Sequence, residues 1–276
     1  MSAASAERRP YTFYLLALLF IGYLLFLYGP MLCIFILSFQ GPQGGLVFPM
    51  RGFGLHWFVQ LITQADTGDT VGAISRSIPL AVFVMALTVV ISIGAGLAFR
   101  RRFAGAATLL YVAIASLVAP GYVLGIGIGL MFQLIDVPTA WYSSALGAQL
   151  TWTLPFGLLI MFAVFGRLNR SFDEAARDLG ATPGQTLWLV VLPVVLPGII
   201  AVALFGFTLS YDEFARTLQT TGATNTLPIE IWSMTQNVTS PSIYALGTLT
   251  TAFSFIVIAV SLSAVALIRR RRLGQA

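Results

Sequence analysis

The sequence predicts an all-α integral membrane protein with six transmembrane helices, and three observations support this fold class. Hydrophobic residues make up 58% of the 276-residue chain and charged residues 9%, with a mean hydropathy of +0.89. Soluble domains carry about 25% charged residues, so lipid is the expected solvent. No long segment alternates apolar and polar residues as barrel strands do. The basic residues also cluster between apolar segments.

Six apolar segments are long enough to cross a bilayer, for which a helix needs about 20 residues. We predict spans at approximately 12–38, 78–99, 105–134, 145–166, 194–213 and 246–268. The first follows "SAERRP" and lacks a small-residue cleavage site at a suitable distance, so we interpret it as an uncleaved span. Together the segments predict a single transmembrane domain over residues 1–276.

The arginines predict the orientation of these spans. If the spans alternate, twelve arginines lie on one side: Arg8, Arg9, Arg100 to Arg102, Arg167, Arg170, Arg177 and Arg269 to Arg272. Only Arg51, Arg76 and Arg216 lie on the other. The positive-inside rule makes the arginine-rich side cytoplasmic. Both termini and the segment 167–193 are therefore predicted to face the cytoplasm, and a different number of spans would scatter the arginines over both faces.

Several classes of chemistry are excluded by what the sequence lacks. There is no lysine, so there is no P-loop lysine and no Schiff-base lysine. One histidine, His56, and one cysteine, Cys33, cannot build a zinc site, a disulfide or a Cys–His pair within the chain. We therefore expect no catalytic residue, no metal site and no cofactor in this chain. The net charge of +5 reflects membrane orientation rather than a nucleic-acid partner.

A charged stretch, "SFDEAARDLGATPGQTLWLVVLP" at 171–193, interrupts the apolar sequence between spans four and five. Ser171 and Glu174 have the spacing of a capping box, which predicts a helix start. Asp173 and Glu174 lie in the first turn, where the helix dipole favours negative charge. Gly180 predicts a left-handed residue just after the end of this helix.

A second helix start follows at Thr182, with Pro183 at the first helical position and Gln185 at the third. The apolar residues that follow lead into span five, and Pro193 is expected to end or kink the helix. On capping alone, the stretch could be an ordinary cytoplasmic loop.

The full spacing of this stretch resembles the EAA loop of ABC importer permeases. That pattern reads E-A-A, three residues, G, nine residues and I-x-L-P. Here "EAA" stands at 174–176, Gly180 follows, and "VVLP" ends at Pro193, with Val190 as the one departure. The resemblance implies a type I ABC importer permease (MetI-like) fold with a cytoplasmic coupling helix.

The same resemblance implies which residues couple this chain to a partner. In such permeases the loop docks into a groove of a separate ATPase subunit, which binds ATP and Mg. The implied coupling residues are Glu174, Ala175, Ala176, Asp178, Gly180, Leu192 and Pro193. The two alanines are small enough for close approach, Glu174 offers a charge, and Gly180 turns the chain towards span five.

A second segment, 207–249, resembles spermidine/putrescine permeases. Their S-x-D-[DE], T-T-G, L-P-x-x-I-[YW]-S-M and S-P-x-x-x-A-L elements match Asp212–Glu213, Thr220–Gly222, Leu227–Met234 and Ser240–Leu246. The resemblance implies the second permease subunit of a polyamine importer in the bacterial inner membrane, working by alternating access. Implied partners are two ATPase subunits, a second and different permease, an external solute-binding protein and the bilayer. Another small organic or cationic solute stays open as an alternative.

Three residues at the predicted outer end of span five are candidates for the substrate pathway: Tyr211, Asp212 and Glu213. Two carboxylates and an aromatic ring suit a flexible polycation through ion pairs and cation–π attraction. Alternatively, these residues pair with Arg216 and only end the helix. Glu230, further along the outer loop, is expected on the solvated surface.

Small residues and prolines predict features inside two spans. Gly121, Gly125 and Gly129 repeat every four residues, which favours close helix packing; a hinge at Pro120 is the alternative. Pro155 is expected to kink span four, with Thr151 or Thr153 satisfying the backbone group that it frees.

Two other function classes are weakly supported. A stand-alone secondary transporter would be expected to show an inverted repeat and mid-membrane ionisable residues. An intramembrane hydrolase needs a nucleophile with a base, and neither G-x-S-x-G nor H-E-x-x-H occurs.

Overall fold

The computed structural model describes residues 10–63, 68–100, 103–169, 171–237 and 240–273. Over these ranges the regular structure is helical, apart from one isolated bridge between Gln40 and Phe53, which confirms the all-α prediction. The predicted cytoplasmic residues Arg8, Arg9, Arg101, Arg102 and Arg170 lie outside the described residues. The α-helices are α1 (Tyr11–Ser38), α2 (His56–Thr63), α3 (Thr70–Phe99), α4 (Ala106–Val118), α5 (Gly121–Leu134), α6 (Ser144–Gly166), α7 (Ser171–Asp178), α8 (Pro183–Gln185), α9 (Leu192–Tyr211), α10 (Leu227–Asn237) and α11 (Ser242–Leu273). A π-helix covers Thr186–Val191 and a 3₁₀ helix covers Thr217–Gln219.

Five helical segments in the described part of the chain are long and apolar enough to cross a membrane. They are α1, α3, α6, the continuous stretch Pro183–Tyr211 and α11. Predicted spans one and four agree with α1 and α6 to within a residue at each end. The second span is longer than predicted, because α3 begins at Thr70 rather than at 78. Asp69 caps this start by accepting a hydrogen bond from the Gly72 N–H.

The predicted third span, 105–134, is wrong as a single straight helix. It consists of α4 and α5, whose axes differ in direction by 107° at a break of a few residues. Ala119 and Pro120 at the break have extended backbone angles, as expected where proline prevents continuation of a helix. The 13 residues of α4 extend only about 20 Å, which is less than the roughly 30 Å of a bilayer core.

The predicted glycine stripe on α5 is confirmed as a packing surface within the chain. It faces the turn 216–219 rather than another long helix. A Cβ atom at Gly125 would lie 2.6 Å from the Arg216 carbonyl oxygen, and one at Gly129 would lie 2.8 Å from the Gln219 carbonyl oxygen. Glycine at these positions lets the α5 backbone approach the turn directly.

The chain divides into two compact units, one from the described residues of 68–236 and 252–276, the other from those of 1–67 and 237–251. In the first, α3, α6 and α9 pack against one another and form its core. Thr88 of α3 and Thr153 of α6 share a buried 2.8 Å hydrogen bond. Gly206 of α9 lies against α3, where an added Cβ atom would come within 3.2 Å of the Met85 Cα atom. These contacts hold the three helices at close distance.

Pro155 inside α6 leaves a backbone carbonyl without its helical donor, because proline has no N–H group. This carbonyl belongs to Thr151, four residues earlier, and the Ser116 hydroxyl of α4 donates to it at 2.9 Å. The prediction that Thr151 or Thr153 would satisfy the freed group is therefore wrong. The donor comes from a neighbouring helix, 35 residues earlier in the chain.

In the second unit, the segment after α1 folds back on itself. Phe39 stacks on Phe53 with ring centroids 5.5 Å apart, next to the bridge between Gln40 and Phe53. The Tyr244 hydroxyl donates to the Leu46 carbonyl at 2.8 Å. The single domain over 1–276 stays a prediction.

We expect Gly125→Ala to destabilise the protein, because the added methyl group requires the backbone at Arg216 to move. Overpacking of this kind costs about 1–3 kcal/mol. The matched control is Gly127→Ala on the same helix, where an added Cβ atom meets nothing within 4 Å. Thermal unfolding in detergent would measure both, and equal melting temperatures would contradict the packing role of Gly125.

Candidate functional site

The candidate coupling segment starts with α7, and its first turn differs from the prediction. Ser171 is the first helical residue, and its N–H group donates to the Asn169 side-chain oxygen at 3.1 Å. The capping box predicted between Ser171 and Glu174 is therefore not formed. Asp173 and Glu174 do lie in the first turn, as predicted.

The end of α7 confirms the predicted left-handed glycine. Gly180 has φ +81°, a conformation that L-residues other than glycine adopt at a cost. The Gly180 N–H donates to the Arg177 carbonyl at 2.8 Å, and the Ala181 N–H donates to the Ala176 carbonyl at 3.0 Å. This pair of bonds is a Schellman motif, which satisfies the last carbonyls of α7.

The second predicted helix start is confirmed in full. The Thr182 N–H donates to the Gln185 side-chain oxygen at 2.8 Å, and the Gln185 N–H donates to the Thr182 hydroxyl oxygen at 3.3 Å. Pro183 occupies the first turn. Two helix-end motifs, separated by one residue, thus fix the corner between α7 and α8.

Pro193 does not end the helix, and a kink at this residue stays a prediction. The chain stays helical from Pro183 to Tyr211, and Pro193 lies in the first turn of α9. The π-helix Thr186–Val191 precedes it. A π-helix has a wider turn than an α-helix, which makes room for a proline ring that would otherwise clash with a carbonyl of the preceding turn.

The predicted coupling residues differ in exposure. Glu174, Ala175, Asp178, Gly180 and Pro193 are exposed and Leu192 is half-buried. Ala176 is only 8% exposed, and α7 contacts the π-helix of the same chain. Of the two alanines, only Ala175 is accessible to a partner. The exposed Leu179, at 89%, is an apolar surface residue that motif reasoning missed.

An ion pair that the sequence did not reveal joins α7 to α3. The Arg100 guanidinium donates to the Asp173 carboxylate, and their side chains are 20% and 19% exposed. Arg100 is the C-cap residue of α3. The C-terminal end of α3 and the start of α7 therefore lie at the same end of this unit. This is the arrangement expected if successive spans cross the membrane in alternating directions. The sequence indicated this contact only indirectly, because Arg100 and Asp173 were both predicted to lie on the cytoplasmic side of the membrane.

At the opposite end of α9, the three predicted pathway residues have different surroundings. The Glu213 carboxylate lies 3.6 Å from the Arg216 guanidinium and accepts a 2.7 Å hydrogen bond from the Arg216 backbone N–H. The side chains of Glu213 and Arg216 are 7% and 5% exposed. The Arg216 guanidinium also lies 4.6 Å above the Trp152 ring centroid. These contacts support the alternative of pairing with Arg216. Tyr211 is buried, whereas Asp212 is exposed.

A buried polar network next to Glu213 was also missed. Gln149 of α6 donates to the Thr217 hydroxyl at 2.9 Å and accepts a hydrogen bond from the Ser210 hydroxyl. The Ser144 hydroxyl donates to the Thr220 carbonyl at 2.6 Å. These bonds attach the segment after α9 to α6. The sequence signal that could have revealed this network is the presence of single Ser, Thr and Gln residues within otherwise apolar spans.

The expectation that Glu230 lies on the solvated surface is wrong. Glu230 is 5% exposed and accepts hydrogen bonds from the Asp69 N–H at 2.9 Å and from the Asn225 side chain at 2.8 Å. Arg76 donates to the Asp69 carboxylate and to the Asn225 carbonyl, each at 2.8 Å. The hydrogen bond from Arg76 lowers the pKa of Asp69 below its usual value. Glu230 is thus a structural carboxylate that orders this end of α3.

The sequence profile for inner membrane components of binding-protein-dependent transport systems matches residues 68–274. The chain belongs to this family. A putrescine transport system permease protein, PotI of Escherichia coli K12, is 30% identical over 233 residues, which cover 81% of each chain. A spermidine/putrescine permease protein, PotC of Haemophilus influenzae, is 28% identical over 251 residues, covering 89% of this chain and 93% of the relative.

Solved structures support the fold. A bacterial ABC transporter involved in the import of alginate, an acidic polysaccharide, matches with a TM-score of 0.65 at 15% identity, over 99% of this chain and 98% of the other. A bacterial alginate ABC transporter in complex with a pentasaccharide-bound periplasmic protein matches with a TM-score of 0.62 at 14% identity, over 94% of each chain. This permease therefore has the fold of an ABC importer subunit.

We expect Glu213→Gln to destabilise the permease by about 3 kcal/mol, because it leaves the buried Arg216 charge without its partner. The neighbouring Asp212→Asn removes an exposed carboxylate and is expected to change stability by less than about 0.5 kcal/mol. Thermal or chemical unfolding in detergent would measure both. A larger loss for Asp212→Asn than for Glu213→Gln would contradict this assignment.

Proposed function

We propose that this protein is the transmembrane permease subunit of an ATP-driven ABC importer that moves a small solute, specifically a polyamine, across the bacterial inner membrane by alternating access. The observation that carries the proposal is the corner at 171–193, which combines the family's spacing with two helix-end motifs. A segment that only connected two spans would not require such a fixed shape.

The geometry of this corner suits a mechanical role. Glu174, Ala175 and Asp178 are exposed on α7 and form the proposed docking surface for an ATPase subunit. Gly180 fixes the angle between α7 and α8. From Pro183 the chain is helical without interruption into α9, which packs on α3 and α6. A displacement of α7 would therefore reach the core directly, with Leu192 and Pro193 at the start of α9.

We further propose six spans, with α4 and α5 together as one broken span and both termini in the cytoplasm. Counting the bent pair as one span gives six, and the distribution of arginines then obeys the positive-inside rule. The contact between Arg100 and Asp173 agrees with this alternation, because it joins two regions that are both predicted to be cytoplasmic.

Labelling of a single cysteine tests this orientation. Cys33 is the one cysteine of the chain, so Asp178→Cys in a Cys33→Ser background carries a unique thiol at an exposed position of α7. We expect a membrane-impermeant maleimide to label it in inverted membrane vesicles but not in intact spheroplasts. Labelling from outside intact spheroplasts would place the docking surface in the wrong compartment.

The proposed assembly contains several other chains. Two ATPase subunits would bind ATP and Mg, because the permease sequence has no nucleotide-binding motif. A second, different permease and an external solute-binding protein would complete the importer. Conformational work supplied by the ATPases opens and closes the path. The permease itself forms and breaks no covalent bond and is not an enzyme.

The proposal of a polyamine rests on the names of the relatives and on Asp212. Asp212 presents an exposed carboxylate at the end of α9, which suits an amine cation. The buried Tyr211 and Glu213 flank it, and we propose that they hold it in place. Another small organic or cationic solute is the second candidate, because an exposed carboxylate does not select among amines. A stand-alone secondary transporter is disfavoured, because the fixed corner would then have no partner.

Gly180→Ala tests the coupling role without adding a steric clash, because nothing lies within 4 Å of the added Cβ atom. Its cost comes from the positive φ angle and is about 1–2 kcal/mol for a non-glycine residue. In proteoliposomes containing the importer complex, we expect putrescine- or spermidine-stimulated ATP hydrolysis to fall for Gly180→Ala and for Glu174→Gln. The matched control is Gly184→Ala, which also meets nothing within 4 Å.

The result has two separable readings. If Gly180→Ala keeps the stimulated hydrolysis of the parent, as the control Gly184→Ala is expected to, the corner is not the coupling element. If neither polyamine stimulates hydrolysis but another cationic solute does, the permease role stands and the polyamine assignment is wrong.

A further inference from the structure

We propose that Arg100 is a positioning residue of the coupling mechanism: its ion pair with Asp173 ties α7 to α3, so that α3 provides a second route for movement beside the helical stretch 183–211. The inference rests on the proposed function and deepens it. Neither residue belongs to the spacing pattern by which the loop was found. The pair is visible only in the structure, because its members are 73 residues apart.

Electrostatics favour this pair from both ends. Arg100 is the C-cap residue of α3, where the helix dipole attracts a cation. Asp173 lies in the first turn of α7, where the dipole attracts an anion. Both side chains are about one-fifth exposed, so screening by water is reduced compared with a surface pair. The pair is therefore placed to transmit force between the two helices.

The Arg100 side chain borders a cavity at the junction of α3 with α6. The cavity has a volume of about 430 Å³ and is also lined by Gly96, Phe99, Leu110, Phe162, Phe165, Gly166 and Leu168. At this junction the carboxylate of Asp173 is a directional contact for the guanidinium. Loss of that carboxylate is thus expected to loosen the junction of α3 and α7.

Beyond this junction, α3 is well suited to carry displacement. It is one 30-residue helix, about 45 Å long. Near its Arg100 end, Gly96 lies so close to the Phe165 ring that no side chain fits between α3 and α6. Along its length it packs against both α6 and α9. We infer that a shift at Arg100 moves α3 together with its neighbours in the core, with Pro79 inside the helix as the one internal proline of α3.

The far end of α3 is attached to the segment 225–230. The Asp69 N–H donates to Glu230, and Arg76 donates to the Asn225 carbonyl. The Leu227 N–H donates to the Ser77 hydroxyl at 2.7 Å in a buried position. Movement transmitted along α3 thus reaches 225–230 through three separate hydrogen bonds. With α7 at the cytoplasmic face, this segment lies at the external face.

The experiment follows transmission along α3 without relying on the solute. Ala223 is exposed and lies two residues before Asn225, so Ala223→Cys in the Cys33→Ser background reports on that region. The importer complex is isolated from native membranes through a tag on this chain. Maleimide labelling rates are compared without nucleotide and with ATP plus vanadate. We expect about a fivefold change in the parent and less than about twofold in Arg100→Gln and Asp173→Asn.

The exchanged pair, Arg100→Asp with Asp173→Arg, is expected to recover much of the response, because the attraction is restored although both dipoles now oppose it. Arg100→Lys should also keep it, since the charge remains. Arg51→Gln and Asp136→Asn remove exposed charges elsewhere and serve as matched controls. Co-purification of ATPase subunits and the melting temperature are measured for every variant.

The outcomes separate the inference about Arg100 from the proposed permease function on which it rests. A response equal to that of the parent in Arg100→Gln overturns the inference alone. Loss of the ATPase subunits from Arg100→Gln would make Arg100 a docking residue instead and also overturns it, as does failure of the exchanged pair. If no ATPase co-purifies with the parent, the proposed function itself fails.

Discussion

Close contact between α3, α6 and α9 is the constraint on which the rest of the molecule depends. In lipid there is no water to satisfy backbone groups or fill gaps, so helices associate through packing at small residues and through buried hydrogen bonds. Gly206 brings α9 against the α3 backbone, and Thr88 bonds to Thr153 between α3 and α6. Pro155 is tolerated because Ser116 supplies the missing donor. These contacts hold α3, α6 and α9 together in one packed core.

Polar residues order the segments at the two ends of this core. At one end, a Schellman motif and a capping box give the chain a corner of fixed angle, and Arg100 adds a charged contact to it. At the other end, buried carboxylates hold connecting segments in place: Glu213 through Arg216, and Glu230 through Asp69 and Asn225. Both ends are thus ordered by hydrogen bonds and ion pairs between specific side chains.

Local chemistry in the sequence predicted the features that depend on a few adjacent residues. Gly180 and the pair Thr182 and Gln185 were identified because helix ends have fixed requirements at fixed spacing. Errors arose where distant residues decide. A hinge at Pro120 was only the alternative to close packing by the glycines, and the 107° change of direction was not predicted, since hydrophobicity alone does not record direction. The burial of Ala176 and Glu230 depends on neighbours that are far away in sequence, as does the pairing of Arg100 with Asp173.

The π-helix at Thr186–Val191 sets the rotational phase between the corner and α9. Each residue of an α-helix turns the chain by about 100°, so one residue more or less in this stretch changes which face of α9 meets its neighbours. Val195, Gly198, Val202 and Gly206 all lie inward in the present register. The length of this segment is therefore more restricted than its apolar composition suggests. Substitutions between aliphatic side chains leave the rotational phase of α9 unchanged. Insertion or deletion of a single residue would turn Gly198 and Gly206 away from the helices that they contact.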